Sequence, residues 1–118
     1  MTTFHLGDLG FVTVSPLQAD EHPFMFDTWM RSSKWRRRRM EAVVGVGFVL
    51  VARSEEGVAL GWLALWGGRV AHAYVKSGFR GQGVMRALWE AAGRPNEGVD
   101  DAHPRVARVL EKLARRVA

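Results

Sequence analysis

The stretch that decides the fold runs from Leu60 to Gly93 and has the sequence LGWLALWGGRVAHAYVKSGFRGQGVMRALWEAAG. Two apolar runs without helical spacing, Val58 to Trp66 and Val70 to Val75, lie on either side of a Gly-Gly pair. This pattern predicts two strands around a turn. Gly78 to Gly83 then forms a glycine-rich loop, followed by an apolar series that a helix can accommodate and that ends at Gly93 and Pro95. The predicted order is strand, turn, strand, loop, helix.

The glycine-rich loop stands where a helix begins, which is a favourable place for an anion. The first backbone N–H groups of a helix have no partner within it, the helix dipole makes this end weakly positive, and glycines allow close approach. Phosphate is the commonest biological anion at such a place. Two known phosphate loops are excluded, because no Gly-Lys-Ser/Thr follows at the Walker spacing and Arg86 occupies the third glycine position of the dinucleotide fingerprint.

A third phosphate loop fits. The run Arg80-Gly81-Gln82-Gly83-Val84-Met85 resembles the Q/R-x-x-G-x-G/A pyrophosphate loop of the GNAT superfamily, the acetyl-CoA-dependent N-acetyltransferases. Residues 73 to 80 and 85 to 88 are similar to that family's central strand and following helix. Met85 departs from the pattern, where Gly or Ala is usual, so its side chain either crowds the cofactor or points aside. The alternative is an ordinary strand-loop-helix unit whose glycines serve turn geometry alone.

The resemblance implies acetyl-CoA as cosubstrate and a definite set of binding residues. In the family, the central strand pairs with the pantetheine arm, the loop N–H groups bind the pyrophosphate, and neighbouring strands splay apart to admit the thioester. The corresponding cofactor-binding positions in this sequence are Ala73, Tyr74, Val75, Arg80, Gly81, Gln82, Gly83, Val84, Met85 and Arg86. Backbone N–H groups near residues 73 to 75 would also polarise the thioester carbonyl.

Two side chains are candidates for the acid–base chemistry of acetyl transfer, which needs a deprotonated amine and a protonated leaving thiolate. His72 is the candidate base, because it shares a predicted strand face with Tyr74 and an imidazole titrates in the useful range; a purely structural histidine is the alternative. Tyr74 is the only tyrosine, and it lies within the central strand. In the family, the tyrosine that often protonates the leaving thiolate follows the last shared strand. The four histidines lack ligand spacing, so no metal site is expected.

The rest of the chain predicts further strands and two helices. Phe11 to Val14 is the first predicted strand, and Asp20 to Pro23 resembles a helix start ahead of an aromatic-rich helix. Val43 to Ala52 is apolar on both faces and predicts an internal strand, which leaves little room for a second helix before it. The strands from Val43 to Val75 should form an antiparallel meander.

The region after Gly93 departs from the family. Residues 94 to 101 contain one apolar residue, Val99, so the family's next strand is not expected. A helix with one apolar side is predicted to start near His103 and Pro104. The predicted fold is therefore α/β (α+β): one GNAT-like domain over residues 1–118, with a mixed, mostly antiparallel sheet flanked by helices and truncated at its C-terminal end. The open sheet edge should be covered by the C-terminal helix or by a second copy of the chain, as a homodimer.

Composition narrows the class of protein. A 47% hydrophobic content and five tryptophans in 118 residues predict a packed globule. The lack of cysteine excludes disulfides, thiolate zinc sites and a cysteine nucleophile. No apolar run reaches the ~20 residues that span a bilayer, and the N-terminal sequence lacks a signal pattern. We expect a cytoplasmic protein without a membrane partner.

A formal net charge of +5 suits either an anionic cofactor such as CoA or a nucleic acid. The run from Lys34 to Arg39 could contact phosphates, or be a solvated helix end. The segment from Phe24 to Ser33 is similar to the first helix of short phage-encoded GNAT-like proteins, but an aromatic-rich helix packed on the sheet is the favoured interpretation, because apolar residues at this spacing are usually core. Two functions follow: an N-acetyltransferase acting on a primary amine of a metabolite, peptide or protein, or a non-catalytic protein of this fold that binds a host protein or nucleic acid through its basic surface.

Overall fold

Five strands form one sheet in the computed structural model, which describes residues 1–33, 37–100 and 104–117. The strands lie side by side in chain order: β1 Thr2–His5, β2 Phe11–Pro16, β3 Phe48–Arg53, β4 Ala59–Trp66 and β5 Arg69–Val75. The helices are α1 His22–Ser32, α2 Arg37–Val46, α3 Val84–Ala91 and α4 Pro104–Val117. Short 3-10 turns occupy Gly7–Leu9, Ala19–Glu21 and Ser77–Phe79.

The sheet separates two apolar layers, because successive side chains of a strand point to opposite faces. Helices α1 and α2 pack on one face, around Trp29, Met40 and Trp62. Helices α3 and α4 pack on the other, where Leu88 and Leu110 are buried. The predicted α+β sheet with flanking helices is confirmed, as is the meander of three consecutive strands.

One predicted strand, Val43 to Ala52, is internal to the sheet as expected but wrong in its first half. Residues 43 to 46, assigned to an internal strand, belong to the end of α2, and β3 begins only at Phe48. Met40 and Val43 lie one helical turn apart and are both fully buried, so the apolar residues at the start of this run serve a helix face. The break falls at Gly47, whose N–H donates to Val43 O at 2.7 Å. A Cβ at Gly47 would lie 2.0 Å from Leu65 O, so no larger residue fits there.

Two further expectations need correction. Strand β1 was not predicted; it pairs with β2 through a turn in which Gly7 and Gly10 both have positive φ. The sheet is also antiparallel throughout rather than mixed. Within the described ranges, the one parallel contact is an isolated bridge between Val70 and Val99.

Among the described residues 94–100, where the sequence does not predict a strand, this bridge is the only strand-like pairing. Val70 N–H donates to Gly98 O at 2.9 Å, and Asp100 N–H donates to Val70 O at 2.8 Å. The Arg69 guanidinium donates to Asp100 Oδ1 at 2.8 Å and fixes the segment at this end of β5. Beyond it, α4 starts at Pro104; the predicted start at His103 falls outside the described residues, as do Lys34 to Arg36 of the basic run. In the part of the chain that the structure describes, no helix combines the length and apolar character needed to cross a bilayer.

Candidate functional site

The loop before α3 has a backbone that only glycine adopts easily. Gly81 and Gly83 have φ of +77° and +93°, in the left-handed region, and Gly83 is the N-cap of α3. No side chain caps this helix start in the described structure. A Cβ at Gly81 would meet nothing within 4 Å, and one at Gly83 would meet only Leu6 Cδ2 at 3.5 Å. The space in front of the first-turn N–H groups is therefore open.

Strand β5 presents backbone groups to the same region. In the β4–β5 register Val75 faces Gly61 and Ala73 faces Leu63, while Lys76 N–H donates to Leu60 O at 2.9 Å. Because hydrogen-bonded and non-hydrogen-bonded pairs alternate in an antiparallel ladder, Ala73 and Val75 direct their N–H and C=O groups away from β4. These groups lie on the outer edge of the sheet, since β5 is its last strand.

Arg80 links the loop to this edge. Its Nε–H donates to Val75 O at 2.9 Å, which fixes the guanidinium beside the strand. The guanidinium carbon also lies 6.0 Å from the centroid of the Tyr74 ring. The predicted loop and the predicted strand residues are thus brought together at one end of β5.

A cavity of about 290 Å³ occupies this corner. Its wall includes the predicted residues Val75, Arg80, Gly81, Gly83, Val84, Met85 and Arg86. Phe79 and three α4 residues, Arg105, Val106 and Val109, complete it. Gln82 does not line the cavity; its side-chain amide donates to Gly78 O at 3.3 Å within the loop. Three arginines therefore lie along a largely apolar cavity at a helix N-terminus, a composition suited to a phosphate attached to an apolar group.

The position of Met85 shows whether its side chain fills the space before α3 or points aside. Its side chain is 7% exposed and packs in the core cluster between the sheet, α3 and α4. It contributes to the cavity wall from the core side. The position is therefore mainly part of the core, as a residue in the first turn of a buried helix face often is.

The two candidate acid–base residues lie on the opposite sheet face. A shift in the β4–β5 register between Ala64 and Leu65 marks a bulge, and Ala71 and His72 consequently face the same side. His72 is fully buried and lies parallel to the Trp29 ring, with centroids 5.4 Å apart. The shared face with Tyr74 is as predicted, but an amine could reach this imidazole only if the core opened. Its role as a base stays a prediction.

Tyr74 is more accessible. Its side chain is half-buried and contacts the edge of the Phe24 ring, with centroids 6.2 Å apart. It stands between α1 and the open edge of β5, close to Arg80. This placement is compatible with the predicted role near the reacting groups, which the structure leaves untested.

A buried ion pair between Arg53 and Glu21, which no sequence pattern predicts, supports the start of α1. Arg53, 8% exposed, donates from Nε to Glu21 Oε2 at 2.7 Å and from Nη2 to Pro16 O at 3.0 Å. Burial would raise the pKa of Glu21, but hydrogen bonds from Arg53 and Gln18 N–H, with the Arg53 charge, lower it below its usual value. The pair joins β3 to the turn before α1 and thereby positions that helix on the sheet.

Among the described residues, no group of three or more His, Asp or Glu side chains is placed to hold a metal ion.

No protein-family model matches the chain, and no curated protein sequence matches it significantly. Its fold does match solved structures. The ribosomal-protein-alanine N-acetyltransferase of Brucella melitensis biovar Abortus 2308 is 25% identical, with a TM-score of 0.57 over 91% of this chain and 90% of that one.

Two other structures agree. A Deinococcus radiodurans R1 protein named as an acetyltransferase is 17% identical, with a TM-score of 0.56 over 96% of this chain and 85% of its own. The IAA acetyltransferase of Bacillus cereus ATCC 14579 is 16% identical, with a TM-score of 0.50 over 70% of this chain and 55% of its own. At such identities these two establish the fold alone.

The chain thus has the fold of the GNAT acetyltransferases over most of its length, as the loop at residues 80–85 indicated. The particular relatives are bacterial, so they give no support to the narrower resemblance to phage-encoded proteins.

Proposed function

We propose that the protein is an N-acetyltransferase that uses acetyl-CoA and acetylates a primary amine. The observation that supports this most directly is the corner where three features converge: the outer edge of β5 at Ala73 and Val75, the left-handed glycines of the loop, and the uncapped start of α3. The match to an N-acetyltransferase over nine-tenths of both chains adds to it.

The residues present fit a pyrophosphate with an attached chain. First-turn N–H groups of α3 and the side chain of Arg80 would hold the phosphates, and Arg86 would join them by giving up its exposed ion pair with Glu90. Ala73 through both backbone groups and Val75 through its N–H would pair with an extended amide chain along the outer edge, as an added strand does, since Val75 O already accepts from Arg80. Val106 and Val109 supply apolar contact opposite.

Acetyl-CoA would supply an acetyl group activated as a thioester. The acceptor nitrogen forms an amide bond to the acetyl carbon while the carbon–sulfur bond breaks and the thiol leaves with a proton. Backbone N–H groups on the β5 edge are the proposed polarising donors for the carbonyl. Tyr74 is the proposed proton donor, because it stands beside this edge and is not enclosed by the core.

Calorimetric titration with acetyl-CoA tests the binding half of this proposal. Gly83→Val should abolish binding, because the new side chain would stand in the open space before α3 and its φ of +93° disfavours a β-branched residue. Gly57→Val is the matched control: Gly57 has a φ of +82° in an open turn between β3 and β4, remote from the cavity lining. Equal losses of binding in both variants would mean that backbone strain, rather than the loop, is responsible.

The loop arginine gives a graded test. Arg80→Ala should weaken acetyl-CoA binding by about 1.5 to 3 kcal/mol, the usual cost of losing a charged hydrogen bond. Arg31→Ala, which removes an exposed arginine of α1 on the far side of the sheet, should leave binding unchanged. An unchanged affinity in Arg80→Ala would remove the loop from the phosphate site.

An acetyl-transfer assay over mixed primary amines tests the catalytic half. Peptides with an N-terminal alanine belong among the acceptors, because the Brucella relative is named for an alanine of a ribosomal protein. Tyr74→Phe should lower turnover while leaving acetyl-CoA affinity unchanged. Tight acetyl-CoA binding without transfer to any amine would favour the non-catalytic alternative.

A further inference from the structure

The positive charge of this protein is concentrated on one helix. Residues 104–117 contain five basic side chains and one acidic, a net charge of +4, whereas the whole chain has +5. The remaining residues are therefore almost neutral, with twelve basic and eleven acidic side chains. A charge excess distributed in this way points to a localised anionic partner rather than to general solubility.

The basic residues of α4 also share one side of the helix. At 3.6 residues per turn, Arg105, Arg108, Lys112, Arg115 and Arg116 fall within an arc of about 100°, over a rise of about 16 Å. We call this surface the basic face of α4. The apolar residues Leu110 and Leu113 lie on the other side and are buried against the core. The basic face is therefore held outward by the packing of the apolar side.

Four of these side chains have no ionic partner within the described part of the chain. Arg108, Lys112, Arg115 and Arg116 are exposed, and none of them takes part in an ion pair or hydrogen bond there. Elsewhere arginines are paired with nearby carboxylates: Arg31, Arg37, Arg53, Arg69 and Arg86. The contrast indicates that the charge on α4 is available to an anion from outside the protein.

We propose that the basic face of α4 binds the phosphate backbone of double-stranded nucleic acid. Cations along one side of a helix can contact successive phosphates, and such contacts give affinity without sequence preference. No aromatic residue occurs in residues 104–117, so the stacking on which single-strand binders rely is lacking. An anionic lipid surface fits less well, because a membrane-binding helix inserts its apolar side, and that side of α4 is already buried.

This surface is separate from the basic run that the sequence suggested. In the described part of that run, Arg37 is paired with Glu41 and lies over the Phe26 ring, on the opposite face of the sheet from α4. Arg105 lines the proposed acetyl-CoA cavity, so it is left intact in every variant below. Nucleic-acid binding by the basic face of α4 can therefore be tested independently of acetyl-CoA binding.

Fluorescence anisotropy with a labelled mixed-sequence DNA duplex tests the proposal. If the basic face makes about four phosphate contacts, the affinity for the duplex should fall roughly 100-fold when the salt concentration rises from about 50 to about 200 mM. The variant Arg108→Gln/Lys112→Gln/Arg115→Gln/Arg116→Gln should remove most of that salt dependence and lower affinity at the lower salt by at least about tenfold. Native binding that does not respond to salt would overturn the proposal.

The matched control removes the same charge from the other face. Arg31→Gln/Arg37→Gln/Arg38→Gln/Arg39→Gln also lowers the net charge by four, and its duplex affinity should stay within about twofold of native. Equal losses in the two variants would show that net charge, not the α4 face, governs binding. Arg108→Lys/Arg115→Lys/Arg116→Lys keeps the charge and should bind like the native chain.

Three further measurements distinguish the proposal from unfolding of the variants, single-strand binding and membrane binding. Circular dichroism verifies that each variant is folded; should the quadruple α4 variant unfold, Arg108→Gln/Lys112→Gln replaces it and should reduce the salt dependence by about half. A single strand of equal length should bind more weakly than the duplex, and tighter binding would overturn the duplex assignment. Phosphatidylserine vesicles should bind weakly, and binding to vesicles but not to duplex would assign the face to a membrane instead.

Discussion

At the scale of single residues, Met85 decides whether this loop departs from the GNAT loop pattern in ligand binding or only in packing. Because its side chain lies mainly in the core, Met85→Ala should lower the free energy of unfolding by about 2 to 4 kcal/mol. Acetyl-CoA affinity should change by less than about threefold, which is less than a lost hydrogen bond would cause. Met30→Ala, at a half-exposed position on α1, should change stability by less than about 0.5 kcal/mol. Markedly tighter binding in Met85→Ala would show instead that the methionine crowds the phosphates.

The ion pair of Arg53 with Glu21 gives a pH-dependent prediction. The pKa of Glu21 is lower in the folded chain than in the unfolded one, so its contribution to stability is complete above the unfolded pKa and disappears as pH falls through the folded pKa. Glu21→Gln should therefore cost about 3 to 5 kcal/mol at neutral pH, since it leaves a buried guanidinium without its counter-ion. Urea titrations should show that the difference in free energy of unfolding between Glu21→Gln and the native chain becomes smaller as the pH falls from about 5 towards about 3. Asp27→Asn, in an exposed pair, should cost less than about 0.5 kcal/mol and show no such narrowing.

At the scale of elements, the boundary between α2 and β3 shows where local pattern fails. The run of valines from residue 43 is equally suited to a buried strand and to the last turn of a buried helix. A long-range contact decides where the helix ends, because Gly47 must pass beside Leu65 O of β4. Leu65 is too far along the chain to be included in a local sequence pattern around Val43. The loop at residues 80–83 was predictable because its glycines and its helix are contiguous in sequence.

Two glycines near this boundary provide a matched test. Gly47→Ala should lower the free energy of unfolding by more than about 3 kcal/mol, because a Cβ would lie 2.0 Å from Leu65 O, a backbone atom that cannot move alone. Gly45→Ala, at an exposed helical position with nothing within 4 Å, should raise it by about 0.5 to 1 kcal/mol through helix propensity. Chemical denaturation of both variants would measure the difference. Similar effects of the same sign would place the end of α2 elsewhere.

At the scale of the whole molecule, the strand, loop and helix of the candidate site were better predicted from the sequence than the elements around them. Residues 73 to 86 form one continuous segment, so strand, loop and helix could be assigned together. The α4 residues that close the cavity, Arg105, Val106 and Val109, follow a stretch of turns, and their position depends on how Leu110 and Leu113 pack against α3. The burial of His72 against two indole rings could not be predicted either, because the rings come from α1 and β4.

The open edge of β5 leads to the last prediction, on oligomeric state. An exposed strand edge invites pairing with a second copy. Here the bridge to Val99 occupies the start of β5, and Arg80 takes the Val75 carbonyl at its end, which leaves only about four residues free to pair. We therefore expect sedimentation velocity to give a monomer of 13.2 kDa. A dimer that acetyl-CoA dissociates would contradict this and place the interface on the β5 edge, since both partners would need the backbone of Ala73. A dimer that acetyl-CoA does not affect would place the interface on another surface.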